Sequence, residues 1–302
     1  MPNSPSFRTI AAALCLAPCA LAGGGQWRPF VDRTVQDFGH QWSRVGDPHN
    51  APFVYDDPSP FIPPRHVGRV HYKHRVMTRE VTVREWFGFL QAYGHYVAPT
   101  SAGSQGLIGT NGFIQYHGYA NGVPAYSMQQ QFGDVPIQVS WRSAARFANW
   151  LHNDQADAAW AFESGVYDTS TFGTTQNGQG INILTDQAAR SEGARFWIPS
   201  MDEWTKAGHW DPNRYGDGEG GWWEYPTTSD AAPVSGHPDF GGETNGGAFP
   251  PGQPRPLDAG SYPDVQSPWG LLDLTGGAQE WMEDFRRPER PQARVAGGTS
   301  IY

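Results

Sequence analysis

Cysteine and lysine are scarce in this sequence, and it has no long hydrophobic run. The 302 residues include two cysteines, Cys15 and Cys19, and two lysines, Lys73 and Lys206. Residues 23–302 therefore carry no thiolate pair for redox chemistry or for a soft metal ion. The net charge is −9 and no basic run occurs, so nucleic acid is not an expected partner. No apolar stretch approaches the ~20 residues that cross a bilayer, so no transmembrane segment is expected.

Glycine, proline and aromatic side chains are abundant instead. The chain has 37 Gly and 26 Pro, and aromatic residues make up 14% of it. Frequent Gly and Pro favour turns over long helices, whereas so many large apolar rings can fill a core. The composition, together with the lack of any repeat or clear linker, predicts a single α+β domain with many loops and short elements.

The N-terminus resembles a secretory signal peptide. A basic residue precedes an apolar stretch that ends in the small-residue triplet Ala20-Leu21-Ala22. We therefore predict a signal peptide over residues 1–22 and a secreted or periplasmic protein. Cys19 also ends a sequence that partly resembles a lipoprotein cleavage site, although Pro18 fits that pattern poorly.

An irregular arm is predicted over residues 23–69, because this segment has many prolines and no hydrophobic period. A strand is predicted near residues 70–77. Residues 98–131 are rich in Gly, Ser, Asn and aromatics, which predicts surface loops and short strands.

Three helices are predicted from their N-cap signals. Thr82, Ser140 and Ser200 each precede a segment with apolar residues at helical spacing. Glu85 and Glu203 stand three residues after the first and third caps, which predicts capping boxes. The apolar faces of these helices are expected to be buried, and they contain Trp86, Phe87, Phe89, Leu90, Tyr93, Trp141, Ala144, Ala145, Ala148, Leu151, Trp204 and Ala207.

Four segments carry a family resemblance. They are residues 80–82 (Glu-Val-Thr), 136–141 (Pro-Ile-Gln-Val-Ser-Trp), 198–204 (Ile-Pro-Ser-Met-Asp-Glu-Trp), and 269–281 followed by 294–298. Their order and residues resemble the motifs E-V-T, P-V-x-x-V-S-W, L-P-T-E-A-E-W and G-L-x-D-M-x-G-N-V-W-E-W of the formylglycine-generating enzyme, or sulfatase-modifying factor, family. The resemblance covers residues 70–302 and implies a loop-rich domain related to the C-type lectin fold.

The resemblance also implies where redox chemistry would lie. Formylglycine-generating members are similar to one another in a C-terminal cysteine pair, which binds copper and oxidises a cysteine of a sulfatase. Copper(I) prefers thiolate ligands, so Ser or His would replace these cysteines poorly. The corresponding segment would follow Gly297 and Gly298, so we expect the 70–302 domain to be either divergent or C-terminally incomplete. No copper is expected in the given chain.

Two functions remain open on this basis. One is a binding or structural module whose loops hold a peptide, a glycan or a protein partner, and the absence of cysteine after Cys19 favours it. The other is a formylglycine-generating oxidoreductase acting on a sulfatase cysteine, with its catalytic cysteines beyond residue 302.

A structural calcium site is a further implication of the resemblance. The family uses one side-chain oxygen, two backbone carbonyls and a glutamate, which correspond here to Asp273, Gly276, Ala278 and Glu280. Carboxylate and carbonyl oxygens are the ligands that calcium prefers. The alternative is that Asp273 caps a turn and Glu280 forms a surface ion pair. The loop at Asn245 is faintly similar to a second calcium loop but has no acidic partner at the matching distance, so we predict a loop only.

Aromatic residues in a Gly-rich loop form a candidate ligand platform. Trp222, Trp223 and Tyr225 have the side chains on which a glycan or peptide could stack, whereas packing beneath long loops is the alternative that the composition favours. His71 and His74 are expected to be two surface histidines, because residues three apart on a strand point to opposite faces and cannot share a metal ion.

Overall fold

Helices begin directly after the three residues predicted as N-caps. The structure, a computed structural model, describes residues 10–11, 15–16, 36–55, 65–97, 107–286, 291 and 293–297. Its α-helices are α1 Val83–Tyr93, α2 Trp141–His152, α3 Trp160–Glu163 and α4 Met201–His209. Thr82 and Ser200 close the predicted capping boxes, and Ser140 accepts the N–H of Ser143. No helix in the described part of the chain is both long and apolar enough to cross a membrane.

The strands are short and form small separate sheets. They are β1 Ile10–Ala11, β2 Cys15–Leu16, β3 Trp42–Val45, β4 Phe53–Tyr55, β5 Arg65–Val67, β6 His74–Met77, β7 Ile114–Ala120, β8 Val123–Met128, β9 Thr174–Gln176, β10 Asn182–Leu184, β11 Trp210–Gly216, β12 Glu219–Trp222, β13 Gln279–Phe285 and β14 Arg294–Gly297. Two sheets have three strands, in the orders β1-β13-β14 and β2-β6-β3. The pairs β4–β5, β7–β8, β9–β10 and β11–β12 are antiparallel. Helices mixed with small sheets confirm the α+β class, while the relationship to C-type lectins stays a prediction.

Strands also occur where an irregular arm was expected. β3 to β5 lie between residues 42 and 67, and β3 pairs with β6 so that Ser43 faces Val76. β6 itself begins at His74, because the chain bends at residues 71–72. Strands of three or four residues show too little alternation to be recognised in a sequence.

The domain boundaries stay predictions. They were placed at residues 1–22, 23–69 and 70–302. The predicted signal peptide lies outside the described residues, apart from the backbone of β1 and β2.

Aromatic rings fill the core, as the composition predicts. Phe89 of α1 is fully buried and contacts the rings of Trp86, Phe147, Trp150 and Phe162, with centroids 4.6, 5.4, 5.6 and 5.9 Å away. Edge and tilted contacts of this kind stabilise a core beyond simple area burial. The predicted apolar faces of α1, α2 and α4 are buried apart from Phe87, which is half-buried.

A buried asparagine attaches the end of α3 and the loop that follows it to α2. Asn149 donates to the carbonyls of Phe162 and Tyr167 at 3.0 and 2.8 Å, and it accepts the N–H groups of Val166 and Tyr167 at 2.9 and 2.8 Å. These backbone groups belong to no sheet, and an unpaired buried N–H or C=O is costly. The Asn149 side chain therefore supplies the hydrogen bonds that strand pairing supplies to backbone groups elsewhere.

Removing the cap of α1 is expected to weaken the fold measurably. Thr82→Ala loses the side-chain oxygen that accepts the N–H of Glu85, so the free energy of unfolding should fall by about 1 kcal/mol. Urea unfolding followed by circular dichroism measures it. Thr174→Ala is the matched control, because Thr174 is exposed on β9. Equal stabilities for the two variants would contradict the capping role.

Candidate functional site

Three carboxylates come together where the calcium site was predicted. Asp273 lies in a loop with a left-handed backbone (φ 60°), Glu280 lies on β13, and Glu80 stands just before α1. Glu80 and Glu280 are 4% and 1% exposed. The suggestion that Glu280 forms a surface ion pair is therefore wrong. Asp273 accepts a hydrogen bond from the N–H of Gly260.

A small cavity lies between this loop and Glu80. It has a volume of about 20 Å³, and its walls include Glu80, Asp273, Gly276 and Asn245. That space accommodates about one ion or one water molecule. Two of the predicted calcium residues, Asp273 and Gly276, therefore share one cavity.

The other two predicted ligands lie apart from that cavity. Glu280 lines a neighbouring, more apolar space of about 10 Å³, and Glu80 lines both spaces. Ala278 is buried but is among the lining residues of neither. Glu80 thus connects the two ends of the predicted ligand set.

Close backbone contact brings Asn245 to the carboxylates. A Cβ on Gly276 would lie 2.4 Å from the backbone nitrogen of Gly246, so the two loops can touch only because this residue is glycine. The Thr244 hydroxyl donates to the carbonyl of Thr275 at 2.8 Å and accepts the N–H of Gly246 at 2.9 Å. The loop predicted to have no acidic partner therefore lies against the Asp273 segment.

Two buried oxygens of this cluster, Oε2 of Glu80 and Oδ1 of Asn245, have no hydrogen-bond partner. The Trp204 indole N–H interacts with the Glu280 carboxylate. Leaving a buried polar oxygen unpaired costs roughly 1–3 kcal/mol. Unpaired acceptors that surround small cavities are the feature that a bound cation would satisfy.

Burial raises the pKa values of all three acids, and repulsion between carboxylates adds to this for Glu80 and Glu280. Burial raises the pKa of Glu80 well above its usual range, and the neighbouring charges of Asp273 and Glu280 raise it further. Burial also raises the pKa of Glu280 strongly, with a contribution from Asp273, and it raises the pKa of Asp273. Ionising these groups together needs a positive charge beside them.

The donor set fits a hard cation rather than a transition metal. Carboxylate, amide and backbone oxygens are calcium ligands, and histidine and cysteine are absent from the lining. Within the described ranges no three His, Cys, Asp or Glu side chains converge tightly enough to hold a metal by themselves. Backbone carbonyls such as that of Gly276 would therefore have to complete the coordination.

Two residues of this cluster were missed by the sequence reasoning. Glu80 was used there only as part of the E-V-T motif, and Asn245 was assigned to a loop without partners. The motif itself was the available signal for Glu80, because a buried acid just before a helix cap has little structural reason to be present. Nothing local in the sequence joins Asn245 to Asp273.

A second feature is an open groove beside the hairpin β11–β12. Its volume is about 660 Å³, within the range of small-ligand sites. Its walls are Ala51, Pro52, Phe53, Trp210, Arg214, Tyr215, Gly220, Gly221, Trp222, Glu224 and Asp230. Tyr215 is 67% exposed. The groove therefore combines aromatic faces with charged side chains.

Trp222 takes part both in packing and in the groove wall. Its ring centroid lies 5.0 Å from that of Trp210 and 5.9 Å from that of Phe53. A Cβ on Gly68 would lie 2.3 Å from the Trp222 ring, so the ring rests directly on the backbone there. Trp222 can therefore both pack beneath the loops and offer a surface to a ligand, the two roles considered from the sequence.

The other two residues of the candidate platform lie outside the groove. Trp223 is half-buried, donates through Nε1 to Asp211 at 3.2 Å, and lies 4.2 Å beneath the Arg214 guanidinium. The half-buried Tyr225 pairs through its backbone with Ser229. Trp223 supports the groove by positioning Arg214, which also covers Tyr215 and forms an ion pair with Asp230.

The prediction for the two histidines is half wrong. His74 is 3% exposed on β6, and burial lowers its pKa to about 4. His71 is exposed, as predicted. Because the strand begins at His74, the alternation argument did not apply to His71.

The sequence that contains these residues also matches a known family. A sequence profile of the sulfatase-modifying factor enzyme 1-like domain matches residues 35–302. The chain belongs to this family. A search among curated proteins found no match. The match to the sulfatase-modifying factor family begins before β3, so it includes the short strands upstream of residue 70.

Proposed function

We propose that this sulfatase-modifying factor domain is a secreted or periplasmic binding module that holds an extended peptide. The observation that carries the proposal is the groove beside β11–β12, which is large, open and lined by aromatic rings. The Trp222 ring is held by packing rather than free to collapse into the groove, since it rests on Gly68 and on Phe53. A preformed groove lowers the entropic cost of binding.

The charges around the groove favour a basic peptide. Glu224 and Asp230 line it, and its cation Arg214 is already engaged by Asp230 and by the rings of Tyr215 and Trp223. An exposed aromatic face next to carboxylates attracts a lysine or arginine side chain of the ligand. The net charge of −9 supports the same preference.

Tyr215→Ala tests this proposal. The probe is a labelled N-acetylated hexapeptide with two arginines, and fluorescence anisotropy measures its dissociation constant. Loss of one exposed aromatic face should weaken binding about three- to ten-fold. The matched control is Phe240→Ala, which removes another 67% exposed ring that does not line the groove.

Three outcomes would overturn the peptide proposal. They are equal affinities of Tyr215→Ala and the wild type, equal loss in Phe240→Ala, and equal binding of a hexapeptide with glutamates in place of the arginines. Binding of a neutral oligosaccharide in the same assay, without binding of the basic peptide, would instead identify a glycan as the ligand.

We further propose that calcium binds and stabilises the segment of this domain that contains residues 273–280. Asp273, Gly276, Ala278 and Glu280 are the proposed ligands. The raised pKa values of Asp273 and Glu280 support the two carboxylates, and Gly276 lines the same cavity as Asp273. The cation would neutralise the buried carboxylates and fix the loop that contains them, which is a structural role. Glu80 lies close enough to contribute its carboxylate.

Family membership supports a second candidate function, formylglycine formation at a sulfatase cysteine. This oxidation requires a thiolate pair to bind copper. Cys15 and Cys19 lie in the predicted signal peptide, so the pair would have to be two further cysteines outside residues 1–302. Oxygen consumption by the full chain with a cysteine peptide and copper tests it. Turnover would favour the oxidase, and no turnover would favour the binding module.

A further inference from the structure

Two exposed histidines from different loops meet at the surface. The Nδ1 atoms of His49 and His71 are 2.8 Å apart, and their ring centroids are 4.9 Å apart. One of these nitrogens donates its hydrogen to the other, so a metal ion would have to displace that proton before it could bind both nitrogens. Imidazole nitrogens in this arrangement are ligands for copper, nickel and zinc.

The backbone fixes the two histidines relative to each other. The N–H of His49 donates to the carbonyl of Val70 at 2.8 Å. The Asn50 side chain donates to the carbonyl of Gly68 at 2.8 Å and accepts the N–H of Val70 at 3.1 Å. Asn50 is buried, so water does not compete for these bonds. The pair is therefore preorganised and would need little rearrangement to bind an ion.

His49 itself has an uncommon backbone conformation. Its φ is 68°, in the left-handed region that costs non-glycine residues energy. Such strain is maintained only where the surroundings enforce it, and it concentrates at functional positions.

A carboxylate adds negative charge beside the pair. Asp202 accepts the N–H of Gly68 at 2.8 Å, on the loop that leads to His71. Asp202 also lies close enough to His71 for their charges to interact. A divalent cation held at the histidines would be attracted by this charge.

The distance between the nitrogens selects among metals. Two bonds of about 2.0 Å to atoms 2.8 Å apart enclose an angle of roughly 90°, which suits square-planar copper(II), whereas tetrahedral zinc would need a separation of about 3.3 Å. We propose that His49 and His71 form a two-histidine chelate for copper(II). No third His, Cys, Asp or Glu joins them among the described residues, so water completes the coordination.

Copper(II) titration of variants tests the chelate. Calorimetry is carried out on the full chain after alkylation of Cys15 and Cys19. His71→Ala, which leaves one ligand, should weaken copper binding by on the order of 100-fold. His49→Asn should do the same, since Asn tolerates the left-handed backbone and preserves the loop. The control is His117→Ala, which removes another exposed histidine.

Electron paramagnetic resonance gives an independent readout. The wild type should show hyperfine coupling to two nitrogens, and the His71→Ala variant should show coupling to one at most. The proposal is overturned if the wild type binds copper no more tightly than His71→Ala, or if His117→Ala causes the same loss. It is also overturned if the wild-type spectrum shows fewer than two nitrogens. Tyr215→Ala should bind copper normally, so this test is separate from that of the peptide groove.

Discussion

Replacing Arg190 by methionine is expected to lower the free energy of unfolding by about 3–5 kcal/mol. The Arg190 guanidinium donates to both oxygens of Glu203 at 2.9 and 3.1 Å, to Glu283 at 3.1 Å and to the Tyr72 hydroxyl at 2.7 Å. The Glu203 and Glu283 side chains are 0% and 8% exposed. Methionine would leave two buried carboxylates without their cation.

The matched control for this change is Arg84→Met. Arg84 pairs with Asp134 at 3.3 Å, but the two side chains are 49% and 63% exposed. An exposed pair contributes roughly 0–1 kcal/mol, so the control should stay near wild type. Urea unfolding measures both variants. If both variants lost the same free energy of unfolding, burial of the Arg190 network would not contribute to stability.

The pH dependence of the Arg190→Met variant provides a second check. Burial opposes ionisation of Glu203, but Arg190 and His74 hold its pKa below the ordinary value, with hydrogen bonds from Tyr72 and Ser200 adding to this. In the wild type this lowered pKa stabilises the fold above about pH 4.3, and the contribution is lost as the pH falls through the folded pKa. In the variant Glu203 loses its cation, so stability should instead fall as the pH rises.

Removing calcium is expected to have the second largest effect. If calcium is present at 100 times its dissociation constant, chelation removes about 2.7 kcal/mol of stability. For a domain of this size the melting temperature should fall by roughly 5–10 °C. Differential scanning fluorimetry in calcium and in EDTA measures the difference. A melting temperature that EDTA and calcium leave unchanged would contradict the site.

Glu280→Gln separates calcium binding from simple burial. Gln keeps the shape of the side chain but provides one neutral oxygen, so the calcium-induced shift should largely disappear. Asp239→Asn is the control, because the Asp239 side chain is 82% exposed. If Glu280 were a protonated buried acid with no cation, Glu280→Gln would be nearly neutral in both conditions.

The calcium-free protein should also lose stability with rising pH. The pKa values of Glu80, Asp273 and Glu280 are raised in the folded state, so their protons stabilise the fold at low pH. Stability then falls as the pH rises above about 4.3, the ordinary glutamate value. Glu283, whose pKa burial raises to about 7, contributes in the same direction. Calcium should remove only the part due to the cluster.

Local signals explain what the sequence allowed us to predict. The cap of α1 was identifiable because Thr82 and Glu85 lie three residues apart, and Ser200 and Glu203 repeat the pattern. The core was identifiable from helical spacing of residues such as Phe89. Four short motifs also sufficed to identify the family, which the match to residues 35–302 confirms.

Contacts between distant segments explain what was missed. Glu80 meets Asp273, and Asn245 reaches the same cavity, only after loops far apart in the sequence have packed. The His49–His71 pair depends on hydrogen bonds of Asn50 that no sequence motif predicts. The groove has the same origin, since Phe53 and Trp222 come from different hairpins.

Hydrogen–deuterium exchange with the two-arginine hexapeptide tests the central claim most directly. If the groove beside β11–β12 binds the peptide, protection should be confined to residues 51–53 and 210–230, and Tyr215→Ala should reduce it. The β7–β8 hairpin serves as an internal reference that should not change. Protection elsewhere in the domain, or none at a peptide concentration that saturates binding, would contradict the account.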